Sequence, residues 1–190
     1  MTKPFFEEQE YKNLQFSHEE LPIGEYDNCV FINCIFTEID LDHYHFVECQ
    51  FMNCDLSNTS IHNTIFRDVN FKACKLLGLQ FNACNDFLYS ATFDQCQLRL
   101  ASFYKRNLKN SQFINCQLHE VDFAEANLSQ TVLRNCDLRM ALFDRTNLEK
   151  TDLSTCYNIT IDPDTNKIAK AKFSSDQLIG LLRKYDIIVS

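Results

Sequence analysis

The feature that most constrains this chain is a large apolar residue at every fifth position. From Phe31 to Phe81 every fifth residue is Phe, Leu or Ile, which makes 11 positions, and from Phe93 to Leu153 the spacing returns for 13 more. A helix repeats its apolar residues at a period of about 3.6 and a strand at about 2, so a spacing of five over about 130 residues fits neither. It fits a coil that turns a corner after each unit of five residues.

The residue two positions before each large one is usually small, as at Cys29, Thr64, Ala91 and Ser111. The remaining positions of each unit are mostly polar. One large and one small inward residue per unit are enough to fill a narrow interior without voids. The pattern therefore predicts a coil with a solid apolar centre and a polar outside.

The stretch EANLSQTVLRNCDLRMALFDRTNLEKTDLS follows the unit A(D/N)LXX, which is typical of pentapeptide repeat proteins. The chain resembles that family over residues 26–158, about 70% of its length. In the family, four units make one square coil. The resemblance thus implies an all-β fold, a right-handed quadrilateral β-helix with a short C-terminal helix. Coils spaced about 4.8 Å apart give a rod of about 31 Å.

The ten cysteines all fall at inward positions of this pattern. Seven of them stack in one column once two extra residues after Phe81 are allowed for: Cys34, Cys54, Cys74, Cys96, Cys116, Cys136 and Cys156. A metal or redox ladder is one interpretation, and a column of small buried thiols is the other. There is no CxxC pair, and no histidine falls in the column to complete a zinc site, so we expect neither metal nor cofactor.

The five-residue spacing breaks at CNDFLYSA, residues 84–91, where the two extra residues predict a bulge that carries Asp86, Phe87 and Tyr89 outward. A bulge on a rigid scaffold either carries recognition or is a tolerated insertion, and both readings stay open. Arg106 is a second irregularity, because it occupies an inward position that favours a small residue. Either the backbone deviates there, or the guanidinium reaches out beside the bulge.

The two ends differ from the repeat. We expect residues 1–25 to cap the first coil, and residues 159–190 to cap the last coil and form a dimerisation segment. Ser174 and Gln177 match a capping box, a short amphipathic helix follows, and DIIVS is predicted as a strand. The apolar residues of this segment are the predicted dimer interface: Leu178, Leu181, Leu182, Ile187 and Ile188.

The net charge of −8 and pI of about 5.1 argue against direct nucleic acid binding. There is no apolar run long enough to span a bilayer and no signal peptide, so we expect a cytoplasmic protein without membrane contact. One face of the predicted rod collects most of the acidic excess: Asp40, Asp42, Asp122, Glu125 and Asp144. On the same face, Lys105, Glu125 and Arg145 are predicted to stack as an ion-pair ladder.

No catalytic motif stands out. His43 and His45 lack a third metal ligand, and a filled β-helix offers no obvious cleft, so we do not expect an enzyme. The tail NITIDPDTNKIAKAKFSSDQLIGLLRKYDIIVS resembles the segment that ends the gyrase-protecting subgroup of the family, where it forms a head-to-head dimer. That subgroup includes the Qnr-type quinolone resistance proteins and the immunity proteins against albicidin and microcin B17.

The resemblance implies a rod-shaped dimer that mimics DNA, binds DNA gyrase or topoisomerase IV, and protects these enzymes from poisons. With a single small bulge, the chain is more similar to the immunity-type members than to the Qnr type, which has two loops. A scaffold protein with another protein partner is the alternative, and it predicts tolerance to charge reversal on the acidic face. Ice binding is a weaker alternative, because outward threonines are sparse.

Overall fold

The computed structural model describes residues 4–16, 21–37 and 39–188. Short strands and tight turns alternate along the chain, and a single five-residue helix, α1 (Leu178–Leu182), lies near the C terminus. Three 3₁₀ turns span Phe81–Ala83, Ser175–Gln177 and Arg183–Tyr185. The strands are β1 (Phe5–Glu7), β2 (Glu10–Lys12), β3 (Glu25–Asp27), β4 (Val30–Ile32), β5 (His45–Val47), β6 (Gln50–Met52), β7 (Ile65–Arg67), β8 (Val69–Lys72), β9 (Ala91–Asp94), β10 (Gln112–Ile114) and β11 (Val132–Arg134).

The strands form two parallel sheets on adjacent sides of a square coil. One sheet has the order β1-β3-β5-β7 and the other β2-β4-β6-β8-β9-β10-β11. Paired residues are 20 apart in sequence, as in Phe31 with Phe51, except between β8 and β9, where Phe71 pairs with Phe93. The other two sides carry isolated parallel bridges between residues 20 apart, or 22 apart at Lys75–Gln97 and Gln80–Ser102, which span the insertion. The structure therefore confirms an all-β solenoid, with one two-residue insertion where the sequence predicts it.

All 24 large residues of the repeat are buried, as predicted, and so are the small residues that precede them. On one side of the coil, phenylalanine rings stack along the axis, with centroids 4.7 Å apart between Phe31 and Phe51 and 5.0 Å apart between Phe51 and Phe71. This separation is close to the distance between neighbouring strands. The ladder is thus a direct consequence of placing the same residue type at the same point of every coil.

The corner of most units is a residue in the left-handed backbone conformation. Of the described residues, 27 that are not glycine have positive φ, and ten of these are asparagines. Asparagine tolerates this conformation better than other non-glycine residues, because its short amide side chain bonds locally to the backbone. This is how a chain with three glycines turns so many corners.

The solenoid begins on the N-terminal side of the expected boundary at residue 26. Strands β1 and β2 pair with β3 and β4. The ring of Phe6 stacks on Tyr26 at 4.7 Å, and the ring of Tyr11 stacks on Phe31 at 4.8 Å. Phe16 is buried as well. Residues 4–16 therefore continue the five-residue spacing and form a coil of the solenoid, where the sequence reading expected a cap without the repeat.

At the other end, bridges continue as far as Lys172, and α1 then covers the last coil. The predicted capping box is present, and the Ser174 N–H donates to Gln177 Oε1 at 2.8 Å. The prediction of a strand at DIIVS is wrong for residues 186–188, which have no regular structure, while Val189 and Ser190 lie outside the described residues. Asp186 adopts a left-handed conformation that ends the last 3₁₀ turn. A β-strand also forms only when it can pair with the free edge of another strand.

Candidate functional site

The acidic face carries the outward residues on either side of the buried ladder Leu41, Ile61, Phe81, Phe103, Phe123 and Phe143. The bridges place Asp40 and Asp122 in one column of this face. By the same register, Asp42 and Asp144 share the next column, with Glu125 beside them. The five acids predicted from the sequence thus lie on one face, in two groups separated by the three coils that contain residues 60–63, 80–83 and 102–105.

The acidic residues of the C-terminal group are partly neutralised. Glu125 lies between Lys105 Nζ, 3.6 Å away, and Arg145, whose Nη2 is 3.1 Å away, which confirms the predicted ion-pair ladder. Arg145 Nε also lies 3.1 Å from Asp144 Oδ2. Exposed pairs of this kind contribute about 0–1 kcal/mol each. They matter here because they lower the negative charge that this part of the face presents.

In the N-terminal group, Asp40 and Asp42, no lysine or arginine offsets the negative charge within the described residues. Asp40 accepts a hydrogen bond from the Asp42 N–H at 2.9 Å. Asp42 lies 3.6 Å from the ring nitrogens of His43 and His62. Within the described residues neither aspartate pairs with a lysine or arginine.

The charge is also divided along the rod axis, which the sequence reading missed although the counts were available to it. Residues 1–94 contain 15 acidic and 5 basic residues, a net charge of −10, whereas residues 95–190 contain 11 acidic and 13 basic residues, a net charge of +2. Sequence position along a solenoid becomes position along its axis. The rod is therefore strongly acidic in its N-terminal half and close to neutral in its C-terminal half.

The insertion forms a bulge over residues 85–90, on the side of the coil where β7 ends its sheet. Phe87 is 63% exposed and Leu88 57% exposed, and the Asp86 side chain also faces solvent. Tyr89 differs from the expectation, because its ring packs against the core and its hydroxyl group is buried. The reason is the guanidinium of Arg106, which lies 4.8 Å from the centre of the Tyr89 ring.

Arg106 itself is 3% exposed and does not displace the coil. Its guanidinium donates to the Phe81 and Cys84 carbonyls, the latter at 2.7 Å, and to the Asp86 carboxylate. Of the two expectations for this residue, the second is the closer one, because the side chain runs beneath the bulge. A buried guanidinium is tolerable when most of its N–H groups find acceptors, as they do here.

The C-terminal surface consists of α1, the residues that follow it and the last coil. Gln177 Nε2 donates to the carbonyls of Leu153 (3.0 Å) and Cys156, which are free acceptors at the end of the coil. Leu181 packs against the core. The other four predicted interface residues are exposed: Leu178 (50%), Leu182 (37%), Ile187 (52%) and Ile188 (96%).

A groove of about 1240 Å³ runs between this segment and the last coils. Its walls include the outward apolar side chains of Met140, Leu142 and Tyr157, which interrupt an otherwise polar surface. The sequence reading did not single out these three residues. Their signal was an apolar residue at an outward position of the repeat, which also occurs at Ile35, Leu100 and Val132 and so does not by itself mark this surface.

The ten thiols offer no accessible chemistry. All are free and buried, and burial raises the pKa of Cys49 to about 12 and that of Cys84 to about 12, because the thiolate is disfavoured away from water. No group of three or more His, Cys, Asp or Glu side chains suited to a metal ion occurs among residues 4–16, 21–37 and 39–188. Within that same part of the chain, no helix has the length and apolar character needed to cross a bilayer.

We expect fewer than one thiol per chain to react with Ellman's reagent within minutes in the native protein, and all ten to react after unfolding in guanidinium chloride. Any slow native reaction should begin at Cys84 or Cys156, which are 6% and 4% exposed. Fast reaction of several thiols without denaturant would contradict the buried column.

A sequence profile described as "Pentapeptide repeat region" matches residues 25–86 and 86–161. A trypsin-treated variant of QnrB1, described as a plasmid-mediated fluoroquinolone resistance protein, is 18% identical; the match covers 98% of this chain and 100% of that chain, with a TM-score of 0.63. HetL from the cyanobacterium Nostoc sp. strain PCC 7120, described as involved in heterocyst differentiation regulation, is 13% identical; the match covers 91% of this chain and 86% of that chain, with a TM-score of 0.61. No curated protein matches. Identities this low establish a shared fold alone.

Proposed function

This chain belongs to the pentapeptide repeat family, and from that premise we propose that it is a non-enzymatic binding protein that protects type II topoisomerases from poisons. In this proposal a rod-shaped dimer occupies the DNA-binding surface of DNA gyrase or topoisomerase IV. Cleavage complexes stabilised by a poison are then prevented or released. The single observation that carries the proposal is the net charge of −10 on the N-terminal half of a solenoid of parallel coils.

The N-terminal half of the rod has nearly the charge of a DNA duplex of the same length. At one coil per 20 residues and about 4.8 Å per coil, residues 4–94 extend over about 21 Å. A DNA duplex carries one phosphate per about 1.7 Å of its axis, so about 21 Å of duplex carries about 12 negative charges. The N-terminal half has 15 acidic residues against 5 basic ones, a net charge of −10. A surface that binds DNA is basic and attracts such a rod over distances of about a Debye length.

The dimer part of the proposal rests on the C-terminal surface. Exposed apolar side chains on α1 and beyond it stand beside the groove lined by Met140, Leu142 and Tyr157. A contiguous apolar patch of this kind is uncommon on a monomer and usually marks an interface. A dimer joined at this end would place the two acidic halves at its outer ends, where they would face the two halves of a symmetric partner.

The experiment that tests the proposal is gyrase-mediated DNA cleavage with and without the purified protein, in the presence of a quinolone and, separately, of albicidin. We expect less cleaved DNA with at least one poison, and an apparent affinity for gyrase that falls as salt is raised. No change with either poison would overturn the proposal and favour a scaffold protein with another partner.

Charge reversal identifies the surface. We expect Asp40→Lys with Asp42→Lys to weaken gyrase binding by about tenfold or more, because reversal at an unneutralised site turns attraction into repulsion. Asp122→Lys, Glu125→Lys and Asp144→Lys together should weaken it less, since Lys105 and Arg145 already offset part of that group. Asp152→Lys is the matched control, because Asp152 already pairs with Lys172 at 3.3 Å in the neutral half of the rod. Equal effects from all three changes would contradict the assignment to the acidic face.

A further inference from the structure

The bulge projects from the coil and is fixed by hydrogen bonds. Its ends are fixed to the neighbouring coil, since the Asn85 N–H donates to the Thr64 carbonyl at 3.0 Å and the Ser90 N–H donates to the Phe66 carbonyl at 3.0 Å. Inside the bulge, the Phe87 N–H donates to Asn85 Oδ1 at 2.8 Å. These three bonds hold both ends and the turn of the bulge.

Arg106 fixes the bulge from below. Equivalent inward positions hold the small buried residues Thr64, Ala126 and Thr146 in three other coils, and buried Tyr44 in a fourth. A small uncharged residue therefore suffices to fill the coil at this point. The guanidinium instead joins the coil carbonyls of Phe81 and Cys84 to the Asp86 carboxylate of the bulge. If the bulge moved away, this buried cation would lose its only anionic partner among the described residues.

The same arrangement decides which side chains point outward. Tyr89 lies under the guanidinium, with its hydroxyl group buried. Phe87 and Leu88 are left projecting side by side, although a leucine with φ of 52° is in a conformation that L side chains rarely adopt. Exposed apolar residues within the regular coils, such as Ile35, Leu100 and Val132, do not stand on an insertion, whereas Phe87 and Leu88 stand at the tip of the bulge.

We propose that Phe87 and Leu88, the bulge tip, insert into an apolar pocket on the protein partner, and that Arg106 is the positioning residue that holds them ready. This inference rests on the proposed function, so the partner is a type II topoisomerase. A protein pocket fits better than a phosphate or an anionic lipid, because the tip follows Asp86 and belongs to the half of the chain with net charge −10. Insertion costs little ordering entropy, because the bulge is already fixed before it meets the partner.

The test is binding of purified gyrase to the full-length protein and to Phe87→Ser with Leu88→Ser. We expect at least a tenfold loss of affinity and of protection in the cleavage assay, with an unchanged melting temperature. The matched control is Leu100→Ser, because Leu100 is also left-handed and half exposed but lies on a regular coil. If wild type binds gyrase and the double variant binds equally well, the bulge-tip inference is overturned and the proposed function stands. If wild type binds neither gyrase nor, in the same assay, topoisomerase IV, both are overturned.

Arg106→Thr tests the positioning role with the residue that two other coils carry at this point. We expect weaker binding, together with faster amide hydrogen exchange confined to residues 85–90. Adding Arg106→Thr to the variant that already carries Phe87→Ser and Leu88→Ser should cost no further affinity, because Arg106 acts only through the tip. Additive losses would show that Arg106 merely stabilises the coil and would overturn the positioning role.

Discussion

Replacing Phe71 by alanine is expected to lower the free energy of unfolding by about 3–5 kcal/mol, the cost of deleting a buried aromatic ring. The ring is 1% exposed and stacks between Phe51 at 5.0 Å and Phe93 at 5.4 Å. It also contacts the edges of Phe66 and Phe81. The cavity would lie at the centre of a narrow coil with few side chains able to move into it, which favours the upper end of the range. Urea unfolding followed by circular dichroism measures the change.

Two control variants show whether the loss of stability in Phe71→Ala comes from lost packing. Phe71→Leu should cost less than about 1.5 kcal/mol, because leucine occupies the same ladder at Leu133 and changes the volume little. Phe87→Ala should change stability by less than about 0.5 kcal/mol, since its side chain is 63% exposed. A loss below 1 kcal/mol for Phe71→Ala would mean that the coil collapses onto the cavity and that the ladder is not a rigid core.

The coil and its core were predictable because the spacing of five is strict and the same pattern of large, small and polar residues recurs in each unit. The first coil was overlooked although Phe6, Tyr11 and Phe16 keep that spacing. Its signal is weaker, since tyrosine replaces phenylalanine at position 11 and the residues two before Phe6, Tyr11 and Phe16 are not small. A repeat is easiest to find where it is most regular, so the predicted start of the solenoid lies too far along the sequence.

The candidate surfaces were only partly predictable, for a different reason. Membership of a face follows from register, so the five acidic residues could be grouped from the sequence. Neutralisation of that face depends on which side chains reach each other, and Lys184 pairs with Asp162 at 2.6 Å from a segment outside the repeat. Likewise, the inward turn of Tyr89 depends on Arg106, which is distant in sequence and adjacent in space. Register is encoded in each unit, whereas these contacts between units are not.

The second large effect is expected for Gly180→Ala, where helix propensity and packing predict changes of opposite sign in the free energy of unfolding. Alanine favours a helix over glycine by about 1 kcal/mol, so propensity alone predicts a more stable protein. A Cβ atom at this position, however, would lie 2.0 Å from the backbone oxygen of Ile159 and 3.0 Å from its carbonyl carbon. Backbone atoms of a packed coil have little freedom to move aside. We therefore expect a net loss of about 2–3 kcal/mol, toward the upper end of the cost of overpacking.

The loss of stability in Gly180→Ala should be confined to the C-terminal segment, because α1 moves away and the last coil stays in place. Displacing α1 weakens the bond from the Ile161 N–H to the Gly180 carbonyl, 3.3 Å long, and withdraws Gln177 from the carbonyl of Leu153. We expect faster trypsin cleavage at Arg183 and Lys184 and, if the proposed dimer exists, a shift toward monomer in size-exclusion chromatography. Ile179→Ala is the control, since this neighbouring side chain is 54% exposed and its removal leaves α1 in place. A more stable Gly180→Ala protein would show that α1 does not rest on the coil at Ile159, and the C-terminal surface would then lack the close contact that holds it in place.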